Sequence, residues 1–221
     1  MFSQSQTVIM QMSGMYEEEG FRIPGARVLD FKTLGGTQCL CDDDALRQLR
    51  EQLAPLPPCG IHWIDGGDWH YLSLLWLEKI KKPFTLYLLD KHTDDQPASF
   101  GPDVLSCGSW VLEARRLPML SDVNWTGGDG SVRSLTGEGA NAAYISIDLD
   151  VLSREYAVTN WDQGTMGLGE LMDAISKIAA HHTIIGIDIC GGILPSQGAC
   201  SCDLAQNKET RKKLQDYLLY L

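Results

Sequence analysis

Two carboxylates and an imidazole follow one apolar strand, with a single residue between each. Residues 84–89 (FTLYLL) are typical of a buried strand, and Asp90, His92 and Asp94 come directly after it. Because alternate side chains of an extended segment point the same way, we expect these three groups to converge just past the strand. A polar turn is the alternative explanation for this motif by itself, so a functional site requires a second cluster.

A second cluster lies in the stretch YISIDLDVL, residues 144–152. Ser146, Asp148 and Asp150 alternate with apolar residues, which predicts that the three polar side chains share one face of a strand. Both faces of a parallel sheet are normally covered, so two neighbouring carboxylates there would be buried and would repel each other. The stretch contains no Lys or Arg, and a metal ion is the simplest compensation.

A third polar stretch, DGGDWH at residues 65–70, places His70 where a glycine turn opens a helix, and we expect His70 to face the same site. The predicted ligands are therefore Asp90, Asp94, Asp148, Asp150, His70 and His92. Two divalent cations would balance four carboxylates and two neutral imidazoles. Oxygen-rich ligation with some imidazole suits Mn²⁺, and less well Fe²⁺, Co²⁺ or Zn²⁺. A pair of such ions lowers the pKa of a bridging water, which is chemistry suited to hydrolysis.

The elements around these clusters predict an α/β fold. Apolar runs predict strands at residues 7–12, 61–64, 84–89, 143–149 and 183–189. Helices are predicted at residues 43–53, 70–81, 168–181 and 208–221, while residues 95–135 and 153–168 are expected to be irregular loops. Strands that alternate with helices favour a mostly parallel sheet covered on both faces. Ligands bind such sheets at the carboxyl ends of the strands, where all three clusters lie.

Composition limits the class of protein. The 221 residues are 44% hydrophobic, which fits one folded domain over residues 1–221. A net charge of -11 argues against nucleic-acid binding, because a phosphate backbone requires a basic surface. We see no membrane span and no signal peptide, so we expect a cytoplasmic protein with a small-molecule substrate and no membrane partner. The seven cysteines fit no zinc-ribbon or C-x-x-C spacing and are predicted to be reduced.

Four motifs carry a resemblance to the ureohydrolase superfamily, which includes arginase and agmatinase. DKHTD resembles its D-A-H-x-D motif, SIDLDVL its S-x-D-x-D-x-x-D-P motif, DGGDWHYLS its G-G-D-H-S motif, and TIIGIDICGGILP the strand that ends in D-I-V-E-x-N-P. The similarity runs from about residue 61 to residue 195. It implies a three-layer αβα sandwich of the arginase/deacetylase type that holds two Mn²⁺ ions. It also implies that Asp90 and Asp148 bridge the metals, that Asp94 and His70 complete one shell, and that His92 and Asp150 complete the other. Members often form oligomers, so a homo-oligomer is an open expectation.

The chain also departs from the family pattern. Trp69 separates His70 from the G-G-D triplet, and Cys107 stands where the family has a proton-shuttling histidine. Gly191 stands where a glutamate receives the guanidinium, and Ser153-Arg154 replaces Asp-Pro. These departures argue against arginase or agmatinase activity itself.

The leading hypothesis is therefore a binuclear metal hydrolase of a non-peptide C–N bond in an amidine- or amide-like molecule. Asp94 would orient the attacking hydroxide, and Cys107 is a weak candidate proton donor. One alternative is a metal-binding protein on the same fold that has lost catalysis. Another is a deacetylase-like enzyme with a single zinc ion, since that related fold also combines Asp-x-His with a second Asp.

Overall fold

The computed structural model describes residues 2–97, 104–134 and 139–221. Within them the strands are β1 Thr7–Gln11, β2 Arg27–Asp30, β3 Leu40–Cys41, β4 Gly60–Trp63, β5 Phe84–Leu89, β6 Leu105–Ser106, β7 Leu120–Thr126, β8 Val132–Ser134, β9 Ala142–Asp148 and β10 Thr183–Cys190. The helices are α1 Met15–Glu19, α2 Asp43–Leu53, α3 Leu72–Leu77, α4 Trp110–Ala114, α5 Leu168–His181 and α6 Ser201–Tyr220. None of the helices in this part of the chain is long and apolar enough to cross a lipid bilayer.

One sheet organises the molecule, with the strand order β2-β1-β4-β10-β9-β5-β7-β8. Its first seven strands are parallel, and β8 pairs antiparallel to β7 at one edge. A separate antiparallel ladder joins β3 to β6. The predicted, mostly parallel sheet is confirmed, and β4, β10, β9 and β5 are the strands at its centre.

The central strands are buried because helices cover both faces. All seven residues of β9 are buried. Tyr144 points into a core that includes side chains of α2, α3 and α4, whereas Ile145 and Ile147 point into a second core with α1, α5 and α6. Each fully buried aliphatic side chain contributes about 1.5–3 kcal/mol. The αβα arrangement therefore follows from strands that are apolar on both faces, and the predicted fold class is confirmed.

Several predicted boundaries are confirmed and two are wrong. The helix predicted at residues 70–81 is shorter, since α3 spans Leu72–Leu77. Helices α2 and α5 and strand β5 span the predicted residues. The last helix begins at Ser201 and not at residue 208. Its start is set by the Asp203 carboxylate, which accepts a hydrogen bond from the Cys200 amide at 2.8 Å, a capping arrangement that offsets the polar composition of the first turns.

The region predicted as irregular between residues 95 and 135 contains β6, α4, β7 and β8, so that prediction was wrong for these elements. Strand β7 lies next to the edge of the sheet and is only partly buried, which explains why it lacks a continuous apolar run. Residues 153–167 contain no helix or strand, as predicted. The cysteine prediction also needs correction, because Cys200 and Cys202 form a disulfide.

Candidate metal centre

The four central strands bring the predicted ligands together. Asp90 directly follows β5, Asp148 is the last residue of β9, and the turn after β4 leads to His70. Strand β10, between β4 and β9, ends at Cys190. Because these strands are parallel, their carboxyl ends meet at one edge of the sheet, where the side chains form a buried polar cluster.

The first half of the cluster surrounds His70. Its Nδ1 atom lies 3.1 Å from Asp90 Oδ2, 3.0 Å from Asp94 Oδ2 and 3.7 Å from Asp148 Oδ2. His70 directly follows a 3₁₀ turn, Gly67–Trp69, and this turn contains Trp69, the residue that separates His70 from the G-G-D triplet. The inserted Trp69 packs into the core and donates to Thr37 Oγ1, so His70 still reaches the carboxylates.

The second half surrounds His92. Its Nδ1 atom lies 2.8 Å from Asp150 Oδ2 and 3.6 Å from Asp90 Oδ1. The Asp90 carboxylate therefore lies between the two histidines and contacts both halves. The other oxygen of Asp150 accepts from the Lys91 amide at 3.0 Å, and Asp90 Oδ1 accepts from the His92 amide at 2.7 Å. These backbone bonds fix the two carboxylates in place.

The far side of each imidazole is held by an acceptor. His70 Nε2 lies 2.9 Å from Ser146 Oγ, and Ser146 donates its proton to Asp188 Oδ1 at 2.6 Å. The Ser146 oxygen is thus available as an acceptor for His70 Nε2–H, so a neutral His70 would have its lone pair on Nδ1. His92 Nε2 lies 2.7 Å from Asp162 Oδ1, so His92 would also have its lone pair on Nδ1 once it gives up a proton. Both histidines therefore present Nδ1 to the carboxylates, as metal-ligating histidines do.

The local backbone differs from the expected extended geometry. Asp94 has a left-handed backbone with φ of 48°, and residues 91–97 form no strand. Trp110 Nε1 donates to Asp94 Oδ2 at 2.7 Å and the Val111 amide donates to the Asp94 carbonyl, which together hold this conformation. Asp150 lies in a 3₁₀ turn, Leu149–Val151, whose start is capped by Asp148 Oδ1. The side chains converge as predicted, but through turns and not through strand alternation.

The electrostatics of the protein groups favour a bound cation. Burial, and then the charge of Asp150, raise the pKa of Asp148 to about 6. Burial and the charge of Asp90 raise the pKa of Asp150 to about 7. The pKa of Asp90 is also raised, by burial and by Asp94. Hydrogen bonding to Asp150 and Asp90 raises the pKa of His92 to about 11. The cluster retains protons because positive charge is scarce there, and a metal ion would supply it.

A further observation supports this fit. Asp90 Oδ2 is buried and forms no hydrogen bond to the described residues, although His70 Nδ1 is only 3.1 Å away. A buried carboxylate oxygen without a hydrogen bond is costly unless another partner binds it. Within the cluster, three groups of His, Asp and Cys side chains lie close enough to share an ion: His70 with Asp90 and Asp94; Asp90 with His92 and Asp150; and His70 with Asp148 and Cys190. The residues of the cluster therefore fit a bound metal.

A pocket of about 460 Å³ opens over the cluster. Trp125, Trp161, Thr93 and Cys107 contribute to its walls beyond the ligands. Burial and the nearby Cys39 raise the pKa of Cys107 to about 12, so its thiol stays protonated at neutral pH. Cys107 lines the pocket as predicted and is able to donate a proton, but it is a poor general base.

Position 191 cannot carry the family's carboxylate without rearrangement. Gly191 has φ of 96°, and a Cβ atom there would lie 2.4 Å from Asp148 Oδ1. The acidic side chains that line the pocket are those of the cluster itself, while Lys91 adds a positive charge. Outside the cluster, the lining is aromatic, polar or basic and offers no carboxylate for a guanidinium group among the described residues.

Three residues of the site were missed from sequence. Asp188 and Cys190 lie in an apolar strand, where a buried cysteine is indistinguishable from a small hydrophobe. Asp162 lies 70 positions after His92 in a loop, and nothing local links the two. The alternation of Asp188 and Cys190 in GIDIC, which repeats that of Ser146 and Asp148, is the signal that could have identified these two side chains.

No family model matches this chain. A protein of Thermotoga maritima, described as uncharacterized, is 28% identical over 196 residues, which cover 83% of this chain and 78% of that protein.

Solved structures show the fold. Proclavaminate amidino hydrolase from Streptomyces clavuligerus superposes with a TM-score of 0.63 at 12% identity and covers 97% of this chain and 90% of its own. Arginase from Medicago truncatula has a TM-score of 0.63 at 12% identity, and the superposition covers 97% of this chain and 87% of the arginase chain. Formimidoylglutamase from Bacillus subtilis has a TM-score of 0.59 at 13% identity, and the superposition covers 97% of this chain and 84% of that chain. At these identities the likeness shows that the chain has an arginase-like fold.

Proposed function

We propose that this chain is a binuclear metal-dependent hydrolase that cleaves a non-peptide C–N bond in an amidine- or amide-like small molecule. The observation that carries the proposal is the pair of histidine Nδ1 atoms, each within 3.1 Å of a buried aspartate, with Asp90 between them. The names of the fold neighbours, among them an amidino hydrolase and a formimidoylglutamase, support the reaction class.

Two divalent cations, of which Mn²⁺ suits the oxygen-rich ligands, would lower the pKa of a water and stabilise charge that develops on the substrate. Asp90 and Asp148 are the residues we assign to both ions. His70 and Asp94 complete one set, and His92 and Asp150 complete the other. Ser146 and Asp162 orient the two imidazoles from behind.

Asp94, in addition to its place in one ligand set, and three residues of the pocket wall are assigned roles toward the substrate. Asp94 is 8% exposed and lines the pocket, where its carboxylate would orient the attacking water by accepting a hydrogen bond from it. We assign to the protonated Cys107 thiol, which lines the pocket, the donation of a proton to the leaving nitrogen. Trp125 and Trp161 give flat apolar walls that limit the access of bulk water.

The pocket selects against a cationic guanidinium substrate. Gly191 provides no carboxylate, and Lys91 would repel a positive group. We therefore expect an amide, or an amidine whose positive charge is offset by carboxylates elsewhere in the molecule, and neither arginase nor agmatinase activity.

The test combines metal analysis with a substrate screen. Protein stripped with a chelator and reloaded should hold two equivalents of Mn²⁺ per chain by plasma mass spectrometry. Formimino, guanidino and amide compounds are then screened for metal-dependent release of ammonia, urea or formamide. Once a substrate is found, Asp148→Asn should lose more than about 100-fold in turnover, whereas Asp173→Asn on the exposed face of α5 should not. Full activity in Asp148→Asn would refute the mechanism.

One rival has its own support. The neutral Gly191 and the high pKa of Cys107 are both expected of a scaffold that binds metal without catalysis. Two bound ions and no turnover across the screen would favour that rival, and a single zinc ion per chain would favour a deacetylase-like enzyme.

A further inference from the structure

Cys190 lies inside the candidate metal centre although no family motif places a thiol there. It is the last residue of β10 and pairs in register with Asp148, the last residue of β9. The side chain is fully buried, and its Sγ atom lies 3.0 Å from Asp148 Oδ2. Two positions earlier in the ladder, on the same face, Asp188 and Ser146 are also paired and are joined by a side-chain hydrogen bond. The strand register therefore fixes the thiol beside a predicted bridging carboxylate.

The thiol also faces His70. The ligand atoms of His70, Asp148 and Cys190 all lie within 4.8 Å of one another, and all three side chains are buried. Beside them, Asp90 Oδ2 is buried and has no hydrogen bond within the described part of the chain, although it lies 3.1 Å from His70 Nδ1. A cation on the His70 side of the cluster would therefore have nitrogen, oxygen and sulfur donors within reach.

The two halves of the cluster differ in chemistry. The His92 half has carboxylates and an imidazole as its donors, from Asp90, His92 and Asp150. The His70 half adds a thiol, and soft thiolate ligands favour Zn²⁺ and Fe²⁺ over Mn²⁺. Metal binding releases the thiol proton to solvent, so a thiolate becomes the ligand. The charges remain close to balance, since four carboxylates and one thiolate carry five negative charges, two divalent ions carry four positive charges, and Lys91 lines the same pocket.

We propose that Cys190 is a thiolate ligand of the metal ion on the His70 side, which makes the centre asymmetric, with a softer ion beside His70 and a harder ion beside His92. This inference rests on the proposed binuclear centre. The alternative role for Cys190 is only to donate a hydrogen bond to Asp148, and serine would preserve that role.

Cobalt spectroscopy on the full chain separates the two roles. Chelator-stripped protein is loaded with Co²⁺, and the near-ultraviolet thiolate-to-cobalt charge-transfer band is recorded together with the cobalt content. The band should be present in the wild-type protein and in Cys107→Ser, whose thiol lines the same pocket, and absent from Cys190→Ser. Circular dichroism checks that Cys190→Ser is folded. Zinc X-ray absorption of the wild-type protein, which needs no variant, should show one sulfur at about 2.3 Å.

A second measurement concerns selectivity. Competition between Zn²⁺ and Mn²⁺ should show a preference for Zn²⁺ at one site that falls by roughly 10- to 100-fold in Cys190→Ser. Two bound cobalt ions without a charge-transfer band, or a band that survives in Cys190→Ser, would overturn the inference and leave the binuclear centre intact. Failure to bind any divalent ion would overturn both.

Discussion

Ser146 Oγ lies 2.6 Å from Asp188 Oδ1, and the same oxygen lies 2.9 Å from Nε2 of His70. Asp188 is fully buried, and burial raises its pKa to about 6. The serine proton goes to the carboxylate, so the serine oxygen accepts from the imidazole. Ser146, which lies in β9, thereby decides which nitrogen of a neutral His70 has the free lone pair.

Replacing Ser146 should consequently weaken metal binding without removing a ligand. In Ser146→Ala, His70 loses the acceptor for Nε2–H and is free to adopt the other tautomer or to rotate. We expect a loss of roughly 10- to 100-fold in affinity for one Mn²⁺ ion, as for other residues that orient ligating histidines. Isothermal titration calorimetry measures this. Ser73→Ala is the matched control, since the Ser73 side chain touches Ser146 at 3.1 Å, while its bond to His70 is made by the backbone amide, which the substitution keeps. An equal loss in both variants would contradict the tautomer argument.

The raised carboxyl pKa values predict an unusual pH dependence for metal-free protein. Asp148 and Asp150 have pKa values of about 6 and about 7 in the fold, against about 3.9 when unfolded. Between these values the folded chain binds more protons, so its stability falls as pH rises from about 4 to 7. His92, with its pKa raised from about 6.5 to about 11, acts in the same sense at higher pH.

We expect the titration of these groups to lower the free energy of unfolding of metal-free protein by on the order of a few kcal/mol between pH 5 and pH 8. Metal binding needs the deprotonated carboxylates, so Mn²⁺ affinity should rise over the same range. Thermal melts of metal-free and Mn²⁺-loaded protein at several pH values measure both effects. The Asp148→Asn/Asp150→Asn double variant should show a flatter dependence when metal-free, and an unchanged slope would count against the assignment.

The site residues that could be predicted are those marked by a pattern in the neighbouring sequence, and the others depend on the tertiary structure. Asp148 could be placed because polar residues alternate with apolar ones within one strand. Asp90 could be placed because it directly follows an apolar run. By contrast, Asp162 reaches His92 only through the tertiary structure, and Cys190 has the size and burial of a core residue.

The same distinction holds for the fold. The central strands were predictable because burial on both faces requires continuous apolar runs. Strand β7 was not, because its position near the sheet edge permits Asn124 and other polar residues. The left-handed conformation of Asp94 had no sequence signal, since it depends on hydrogen bonds from Trp110 and Val111.

Gly67 is predicted to be essential for the geometry of the centre. A Cβ atom there would lie 2.9 Å from Trp161 Cδ1 and 3.0 Å from Asp148 Oδ2. Gly67→Ala should displace the Asp148 carboxylate or the pocket wall, and we expect a fall in metal affinity of at least roughly 10-fold. Calorimetric titration with Mn²⁺ gives the value. In the matched variant Gly169→Ala, the new Cβ meets no atom within 4 Å in α5, so the protein should bind metal normally and gain about 0.5–1 kcal/mol in stability.

A buried ion pair beneath the site offers a test of stability. Arg211 in α6 lies 2.7 Å from Glu19 in α1, and neither side chain is exposed. Arg211 also donates to the Gly191 carbonyl at 2.6 Å, directly after Cys190. Arg211→Met should destabilise the fold by about 3–5 kcal/mol, because it leaves the Glu19 carboxylate buried without a partner.

Urea denaturation of metal-free protein measures this loss, and two further variants separate its causes. Lys213→Met in the same helix removes an exposed pair with Glu209 and should change the stability by less than about 0.5 kcal/mol. The double variant Arg211→Met/Glu19→Leu removes both charges and should recover at least half of the loss, since an apolar pair needs no compensation in the interior. If the double variant is instead as unstable as the sum of the single losses, the main contribution of Arg211 is its hydrogen bond to Gly191, and the loop that follows Cys190 depends on it.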